Sequence, residues 1–178
     1  MPDSQEVWLD NDSNLSFILE VVQLVTESGP PDDQDAALRS VLCSRAESGH
    51  AAQTTLACRF HFASLAHDNT ATSATVESLS LPSPPSTSTS TSPTLLGPAT
   101  LSGLQTVAKF NLPPERADVV LVLMALWRIP SKNTDLVLCV NFPVSEEGGP
   151  QLDATLARKV FADAVQGLQI KDYGLFAG

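Results

Sequence analysis

The most reactive side chains in this sequence lie close together: Cys58, His61 and His67. A Cys near a His can form a nucleophile and its general base. The alternating trio Phe60-His61-Phe62 predicts a strand over residues 56–65, and a strand places Cys58 and His61 on opposite faces. The two histidines have no Cys or acid at metal-ligand spacing. We therefore interpret His61 as a partly buried strand histidine and His67 as a loop histidine, and predict no metal site.

Other signatures of catalysis are missing from the sequence. It contains no Gly-rich phosphate loop, no GxSxG nucleophile elbow and no HExxH zinc helix. A small hydrolase that uses His61 remains an alternative, although the sequence shows no acid to orient this histidine and no oxyanion motif. We therefore favour a binding module over an enzyme, without catalytic residues or a cofactor.

The strongest charge pattern is an excess of acids at the start of the chain. The chain carries 20 acidic and 10 basic residues, a net charge of −10. A local excess of acids creates an electrostatic field that attracts a basic partner and repels nucleic acid and anionic membranes. An acidic surface kept for solubility would have the same composition. The first 38 residues contain no Lys or Arg but nine acids: Asp3, Glu6, Asp10, Asp12, Glu20, Glu27, Asp32, Asp33 and Asp35.

The composition indicates one globular domain over residues 1–178, which we expect to be a monomer. The three cysteines, Cys43, Cys58 and Cys139, are an odd number without paired spacing and predict reduced, mostly buried thiols. The N-terminus does not have the pattern of a signal peptide. The longest apolar run, Val119–Trp127, is too short to span a bilayer.

The first two predicted elements are expected to position the acids. Gln5–Leu9 predicts a short strand, and Leu15–Val25 predicts a helix after possible caps at residues 11–14. Ser16, Glu20, Gln23 and Glu27 interrupt the apolar run at intervals of four, three and four residues, which places them on one stripe of that helix.

The remaining apolar patterns predict an α/β protein of the α+β type, in which helices cover both faces of a mostly antiparallel central sheet. Trp127 is expected in the core. The predicted elements are a helix at Asp32–Glu47, strands at Ala71–Leu81 and Leu104–Phe110, a hairpin of Val119–Ile129 and Leu136–Phe142 joined by Pro130–Thr134, a helix at Asp153–Gln166, and a strand or extended edge at Leu168–Ile170.

One segment has a composition that is typical of neither a helix nor a strand. Residues Pro82–Thr94 are all Ser, Thr or Pro. Such a tract has little apolar surface to bury and cannot offset its ordering entropy. We predict a disordered loop within the domain.

Five segments, in order, resemble the Ran guanine-nucleotide-release factors (the Mog family). They are Pro2-Asp3-Ser4-Gln5-Glu6-Val7-Trp8, Ser16-Phe17-Ile18-Leu19-Glu20-Val21-Val22-Gln23, Arg59-Phe60-His61-Phe62, Ile129-Pro130 with Thr134–Pro143, and Leu168–Phe176. The resemblance implies a PsbP-like fold with a helix-covered antiparallel sheet. It also implies that the chain binds the GTPase Ran, promotes nucleotide release and supports nuclear transport. The resemblance further implies that the protein is located in the nucleus and cytoplasm.

The resemblance also implies an acidic partner-binding surface, which falls on Asp3, Gln5, Glu6, Glu20 and Gln23. If Ran is not the partner, a PsbP-like acidic module that binds another basic protein is the alternative. The chain departs from the family pattern at three places. First, the sequence starts at the Pro-Asp motif, before which family members have another strand, as expected of a truncated gene model, an isoform or a fragment whose sheet has an unpaired edge. Second, Ala63-Ser64 replaces an acidic pair of the family. Third, Asp32–Gln53 and the Ser/Thr/Pro tract are insertions relative to the family.

Overall fold

The structure, a computed structural model, describes residues 5–10, 15–26, 50–82, 97–107, 117–144 and 154–176. Several predicted features lie outside the described residues. They are the helix at Asp32–Glu47, Cys43, the motif residue Asp3, the possible caps at residues 11–14, and residues 83–94 of the Ser/Thr/Pro tract.

The described residues form a six-stranded sheet in which every neighbouring pair is antiparallel. Its spatial order is β1-β2-β6-β5-β4-β3, which places β1 and β3 at opposite edges. The strands are β1 (Gln5–Leu9), β2 (Ser16–Gln23), β3 (Ala71–Ser80), β4 (Ala99–Val107), β5 (Asp118–Ile129) and β6 (Thr134–Val144).

The hairpin of β5 and β6 forms the centre of the sheet, as the two long apolar runs predict. Residues 121–127 and 134–140 are buried throughout, and the indole of Trp127 belongs to this core. A single 3₁₀ turn, Pro130–Lys132, joins the strands, and Asn133 ends it with a left-handed φ of 50°. Asn tolerates this conformation better than most residues. The short turn sets the register in which the two strands pair.

Two helices cover the two faces of the sheet, which confirms the predicted fold class. Helix α1 (His50–Asp68) packs Ala57, Cys58 and Phe62 on one face, named here the α1 face. Helix α2 (Ala154–Gly167) packs Ala157 and Phe161 on the other, the α2 face. No helix within the described ranges is long and apolar enough to cross a membrane.

The contact between α1 and β4 depends on a glycine. A Cβ atom added to Gly103 would lie 2.6 Å from the Phe62 ring and 2.6 Å from the carbonyl oxygen of Thr75. The ring of Phe62, which is fully buried, therefore occupies the space that any larger residue at Gly103 would need. This close approach fixes how α1 lies across the sheet.

The predicted helix at Leu15–Val25 is wrong, because the segment forms strand β2. Its apolar residues alternate between the two faces: Ile18 and Val22 pack on the α1 face, and Phe17, Leu19 and Val21 on the α2 face. A strand covered on both sides is apolar throughout, so its sequence resembles that of a buried helix. Of the polar residues that suggested one helical stripe, Ser16 and Glu20 share the α1 face, Gln23 lies on the α2 face, and Glu27 lies outside the described residues.

The predicted strand at 56–65 is also wrong, because it lies in the middle of α1. The trio of aromatic, His and aromatic residues suggested alternation, but residues 54, 57, 58, 62 and 66 are buried, which is helical spacing. Alanines at 51, 52, 57, 63 and 66 favour the helix. Cys58 and His61 therefore lie one turn apart on a helix rather than on opposite faces of a strand.

Most of the other predicted elements are close to those observed. The strand at Ala71–Leu81 and the helix at Asp153–Gln166 correspond to β3 and α2. The strand predicted at Leu104–Phe110 begins five residues earlier, at Ala99. Leu168–Ile170 joins no described strand; Leu168 and Ile170 instead pack against the α2-face core.

Candidate functional site

Strands β1 and β2 carry the described part of the predicted acidic site. They pair in antiparallel register, and Gln5 lies directly opposite Glu20. The Nε2 amide of Gln5 donates a hydrogen bond to Oε1 of Glu20. The structure therefore brings together two of the predicted residues that are 15 positions apart in the sequence. Asp3 lies outside the described residues.

The other two described residues of the predicted site, Glu6 and Gln23, lie on the opposite face of the sheet from Gln5 and Glu20. Paired residues of a sheet point to the same side, and successive residues alternate. Glu6 lies opposite Leu19, which packs on the α2 face, and Gln23 shares that face with Val21. Gln5 and Glu20 instead lie on the α1 face. The predicted set therefore straddles the edge of the sheet, and only a partner that reaches around β1 could contact both groups.

Beside these acids, β1 exposes apolar side chains that are not among the predicted site residues. All five residues of β1 are exposed, and the exposed fractions are 51% for Val7, 49% for Trp8 and 71% for Leu9. Among the other described strands, Val144 is the only exposed apolar residue, so three consecutive exposed ones mark the β1 edge as unusual. The signal was visible in the sequence as the run Val7-Trp8-Leu9, but only the position of β1 at the edge of the sheet shows that no described element covers it.

Glu20 lies near the core as well as near solvent. Burial raises the pKa of the Cys139 thiol to about 12, and the negative charge of Glu20 adds to this effect. Cys139 is buried on the α1 face, and its strand neighbour on β2 is Ile18, two residues from Glu20. The backbone of Glu20 is therefore held within the packed sheet, and its carboxylate accepts the hydrogen bond from Gln5.

A second polar cluster, which no sequence pattern predicts, lies beneath α1. The carboxylate of Asp135 is fully buried. His61 Nε2 lies 3.1 Å from its Oδ2, and the Arg128 Nε donates to its Oδ1 at 3.1 Å. The backbone N–H of Val25 donates to Oδ2 at 3.0 Å, and the Arg128 guanidinium donates to the Val25 carbonyl oxygen. The cluster ties the end of β2 to α1, β5 and β6.

The cluster holds Asp135 in its charged form. Burial has the largest single effect and would raise the pKa of this carboxyl. The hydrogen bonds with His61 and Val25 and the charge of Arg128 outweigh it, and the pKa lies below its usual value of 3.8. Asp135 thus supplies the acid partner for His61 that the sequence did not reveal. The sequence feature that could have indicated this role is the position of Asp135, a charged residue within an otherwise apolar strand.

The arrangement around His61 favours a structural role over nucleophilic catalysis. Both carboxylate oxygens of Asp135 already accept hydrogen bonds from groups that hold the fold together. Burial, together with the charge of Asp135, raises the pKa of Cys58 to about 12. A thiol with this pKa is almost entirely protonated at neutral pH and is a poor nucleophile. In the part of the chain that the structure describes, no group of three or more His, Cys, Asp or Glu could hold a metal ion.

Comparisons with known proteins agree on one family. The model of the family described as "Ran-interacting Mog1 protein" matches residues 1–143. A solved point mutant of Protein Mog1 shares 20% identity with a TM-score of 0.57, covering 99% of this chain and 85% of that one. The 1.9 Å crystal structure of the Saccharomyces cerevisiae Ran-binding protein Mog1p shares 20% identity with a TM-score of 0.56, covering 99% of this chain and 84% of that one. At this identity the two structures show a common fold. No curated protein sequence gives a significant match.

Proposed function

The chain belongs to the Ran-interacting Mog1 family, and on this premise we propose that it binds the small GTPase Ran and promotes release of the bound guanine nucleotide. In this role it is a regulator of a GTPase and not itself an enzyme. The proposal includes a role in nucleocytoplasmic protein transport, with the protein in the nucleus and cytoplasm.

The observation that carries the proposal is the extent of the family match. Residues 1–143 include β1 to β5 and all but the last residue of β6. The match therefore includes the exposed edge where Glu6 and Glu20 lie beside Val7, Trp8 and Leu9. An edge that combines carboxylates with uncovered apolar surface is suited to a basic protein partner.

The proposed mechanism is differential affinity. A protein that binds nucleotide-free Ran more tightly than nucleotide-bound Ran shifts the GTPase towards release. Carboxylates such as Glu6 and Glu20 can compete for the basic and metal-linked groups that hold the phosphates. Linkage requires the reverse effect as well, so bound nucleotide must weaken the complex by the same factor.

Titration calorimetry tests this mechanism. We expect the protein to bind nucleotide-free Ran at least about tenfold more tightly than Ran loaded with GDP or GTP and magnesium, within the usual range of coupling free energies. Equal affinity for the two forms of Ran would contradict nucleotide release and leave simple docking.

A PsbP-like acidic module that serves another basic protein is the second candidate. The exposed β1 edge is compatible with this second candidate as well as with Ran binding, because neither the charge nor the apolar residues of the edge specify one particular basic partner. Failure to bind either form of Ran, by a chain shown to be folded by its circular dichroism, would support this second candidate.

A further inference from the structure

Among the strands that the structure describes, β1 forms one edge of the sheet, named here the open edge. In the described part of the chain β1 pairs with β2 on one side, and no described strand lies on its other side. An edge strand presents a row of backbone N–H and C=O groups that another chain can pair with. Natural proteins usually block such edges with Lys, Pro or a bulge. β1 contains neither Lys nor Pro, and its pairing with β2 is regular over all five residues.

The register shows which backbone groups of β1 face outward. The N–H of Asp10 donates to the carbonyl oxygen of Leu15, so these residues form a hydrogen-bonded pair just beyond the strand. Such pairs alternate along antiparallel strands. Trp8 and Glu6 therefore direct their backbone groups to β2. Leu9, Val7 and Gln5 direct theirs to the open edge.

The side chains beside this edge define what could pair with it. Val7 and Leu9 project on the α1 face with Gln5, whereas Glu6 and Trp8 project on the α2 face. Neither β1 nor β2 contains a Lys or Arg. An incoming strand would therefore place an apolar side chain beside Val7 on one face and a basic side chain beside Glu6 on the other. Opposite charges on neighbouring strands stabilise such pairing.

Charge complementarity also distinguishes a basic partner from a second copy of this chain. Each copy carries a net charge of −10. Pairing two copies through β1 would bring together two edges that both carry Glu6 and Glu20 and no compensating base. Like charges on adjacent strands repel each other and oppose association of two copies.

We propose that β1 binds its partner by strand addition: an extended segment of Ran, with apolar and basic side chains in alternation, pairs with the outward backbone groups of Gln5, Val7 and Leu9 as a seventh strand. The inference rests on the proposed function, because Ran is the partner. It adds the manner of recognition, in which backbone hydrogen bonds supply affinity and the flanking side chains supply specificity.

Amide hydrogen exchange of the full chain, measured by NMR with and without nucleotide-free Ran, tests the proposal. In the free protein the amides of Glu6 and Trp8 should already be protected, since they face β2. Binding should slow exchange at Val7 and Leu9 by at least about tenfold, as expected when an open amide enters a sheet ladder. The opposite edge strand, β3, serves as the control and should keep its exchange rates.

A proline substitution tests the same hydrogen bonds by affinity. Val7→Pro removes an outward N–H, and proline is tolerated where that group of an edge strand faces solvent. Val7→Thr keeps the N–H and the branched shape. We expect Val7→Pro to bind Ran about tenfold more weakly than Val7→Thr, which corresponds to one lost hydrogen bond and the steric effect of the ring. Circular dichroism and the urea midpoint verify that both variants are folded.

The outcomes separate the two proposals. Binding of Ran without slower exchange at Val7 and Leu9, or with equal affinities for Val7→Pro and Val7→Thr, overturns strand addition and leaves the proposed function standing. No binding of Ran to the unmodified chain overturns the proposed function and strand addition with it.

Discussion

Gln5 of β1 lies directly opposite Glu20 of β2, and its side-chain amide donates a hydrogen bond to the Glu20 carboxylate. The two residues belong to separate segments of the predicted acidic site. Their pairing holds a carboxylate at the edge of the sheet, beside the exposed side chain of Val7. The predicted partner surface is therefore organised by strand pairing and not by the helical stripe that its sequence suggested.

Reversing the charge of Glu20 should weaken the complex with Ran. Glu20→Lys places a positive charge against a basic partner, and we expect affinity to fall by at least about tenfold, measured by titration calorimetry. Glu77→Lys is the matched control because it makes the same change on the opposite edge strand, β3. Equal losses for both variants would show that only net charge matters, and unchanged affinity of Glu20→Lys would remove Glu20 from the site.

Association with Ran should depend on salt. The acidic residues clustered near the N-terminus act over a Debye length of about 8 Å at physiological ionic strength, and charges at the rim of an interface act mainly on the association rate. We expect this rate, measured by stopped-flow fluorescence, to fall steadily between about 20 mM and about 500 mM NaCl, over which the Debye length shortens severalfold. A rate independent of salt would contradict electrostatic steering.

Loss of the buried charge at Asp135 should destabilise the fold. Asp135→Asn keeps the shape but leaves Arg128 without its buried partner, and we expect the free energy of unfolding at pH 7 to fall by about 3–5 kcal/mol in urea titrations. Asp163→Asn removes an exposed carboxylate that pairs with Lys159. This control should leave the free energy of unfolding almost unchanged, since such surface pairs contribute little.

The same carboxyl predicts a pH dependence. Its folded pKa lies below its ordinary value, so on acidification the unfolded chain takes up the proton first. The stabilisation is fully present above the unfolded pKa of about 4 and is lost as the pH falls through the folded pKa. Asp135→Asn should therefore show a shallower loss of stability on acidification below about pH 5 than the unmodified chain. Parallel profiles would contradict the ion-pair account.

The packing of α1 against β4 makes Gly103 intolerant of a side chain. The added methyl group of Gly103→Ala would approach both the buried Phe62 ring and the Thr75 carbonyl oxygen to 2.6 Å. We expect this overpacking to cost about 1–3 kcal/mol, measured by thermal or urea unfolding. Gly97→Ala is the control because nothing lies within 4 Å of its added atom. Similar stabilities of the two variants would contradict the close helix-sheet contact.

The sequence predicts the fold class and most elements because their periodicity is local. The β5–β6 hairpin has two long apolar runs and a Pro-Asn turn, and α2 has clear helical spacing, so each was found close to its observed bounds. The error at β2 arises because a strand covered on both faces and a buried helix are both apolar throughout. The error at α1 arises because the trio Phe60-His61-Phe62 suggested the alternation of a strand.

The candidate site is less visible in the sequence because its contacts are distant. Asp135 meets His61 across 74 residues and Val25 across 110, and no local pattern encodes either contact. The family resemblance supplied Gln5 and Glu20, but only strand register places them side by side. Similarly, the outward direction of the Val7 and Leu9 backbone groups depends on which residues of β1 and β2 form hydrogen-bonded pairs.

The central claim is that this protein acts on the nucleotide of Ran, and release of labelled nucleotide tests it most directly. Ran loaded with a fluorescent GDP is mixed with excess unlabelled GDP, with or without saturating protein, and fluorescence follows dissociation. We predict release at least about tenfold faster with the protein, matching the expected difference in affinity, while the rate of GTP hydrolysis by Ran stays unchanged. Glu20→Lys should lose most of the acceleration at equal concentration. Release that is no faster with saturating protein would contradict the claim.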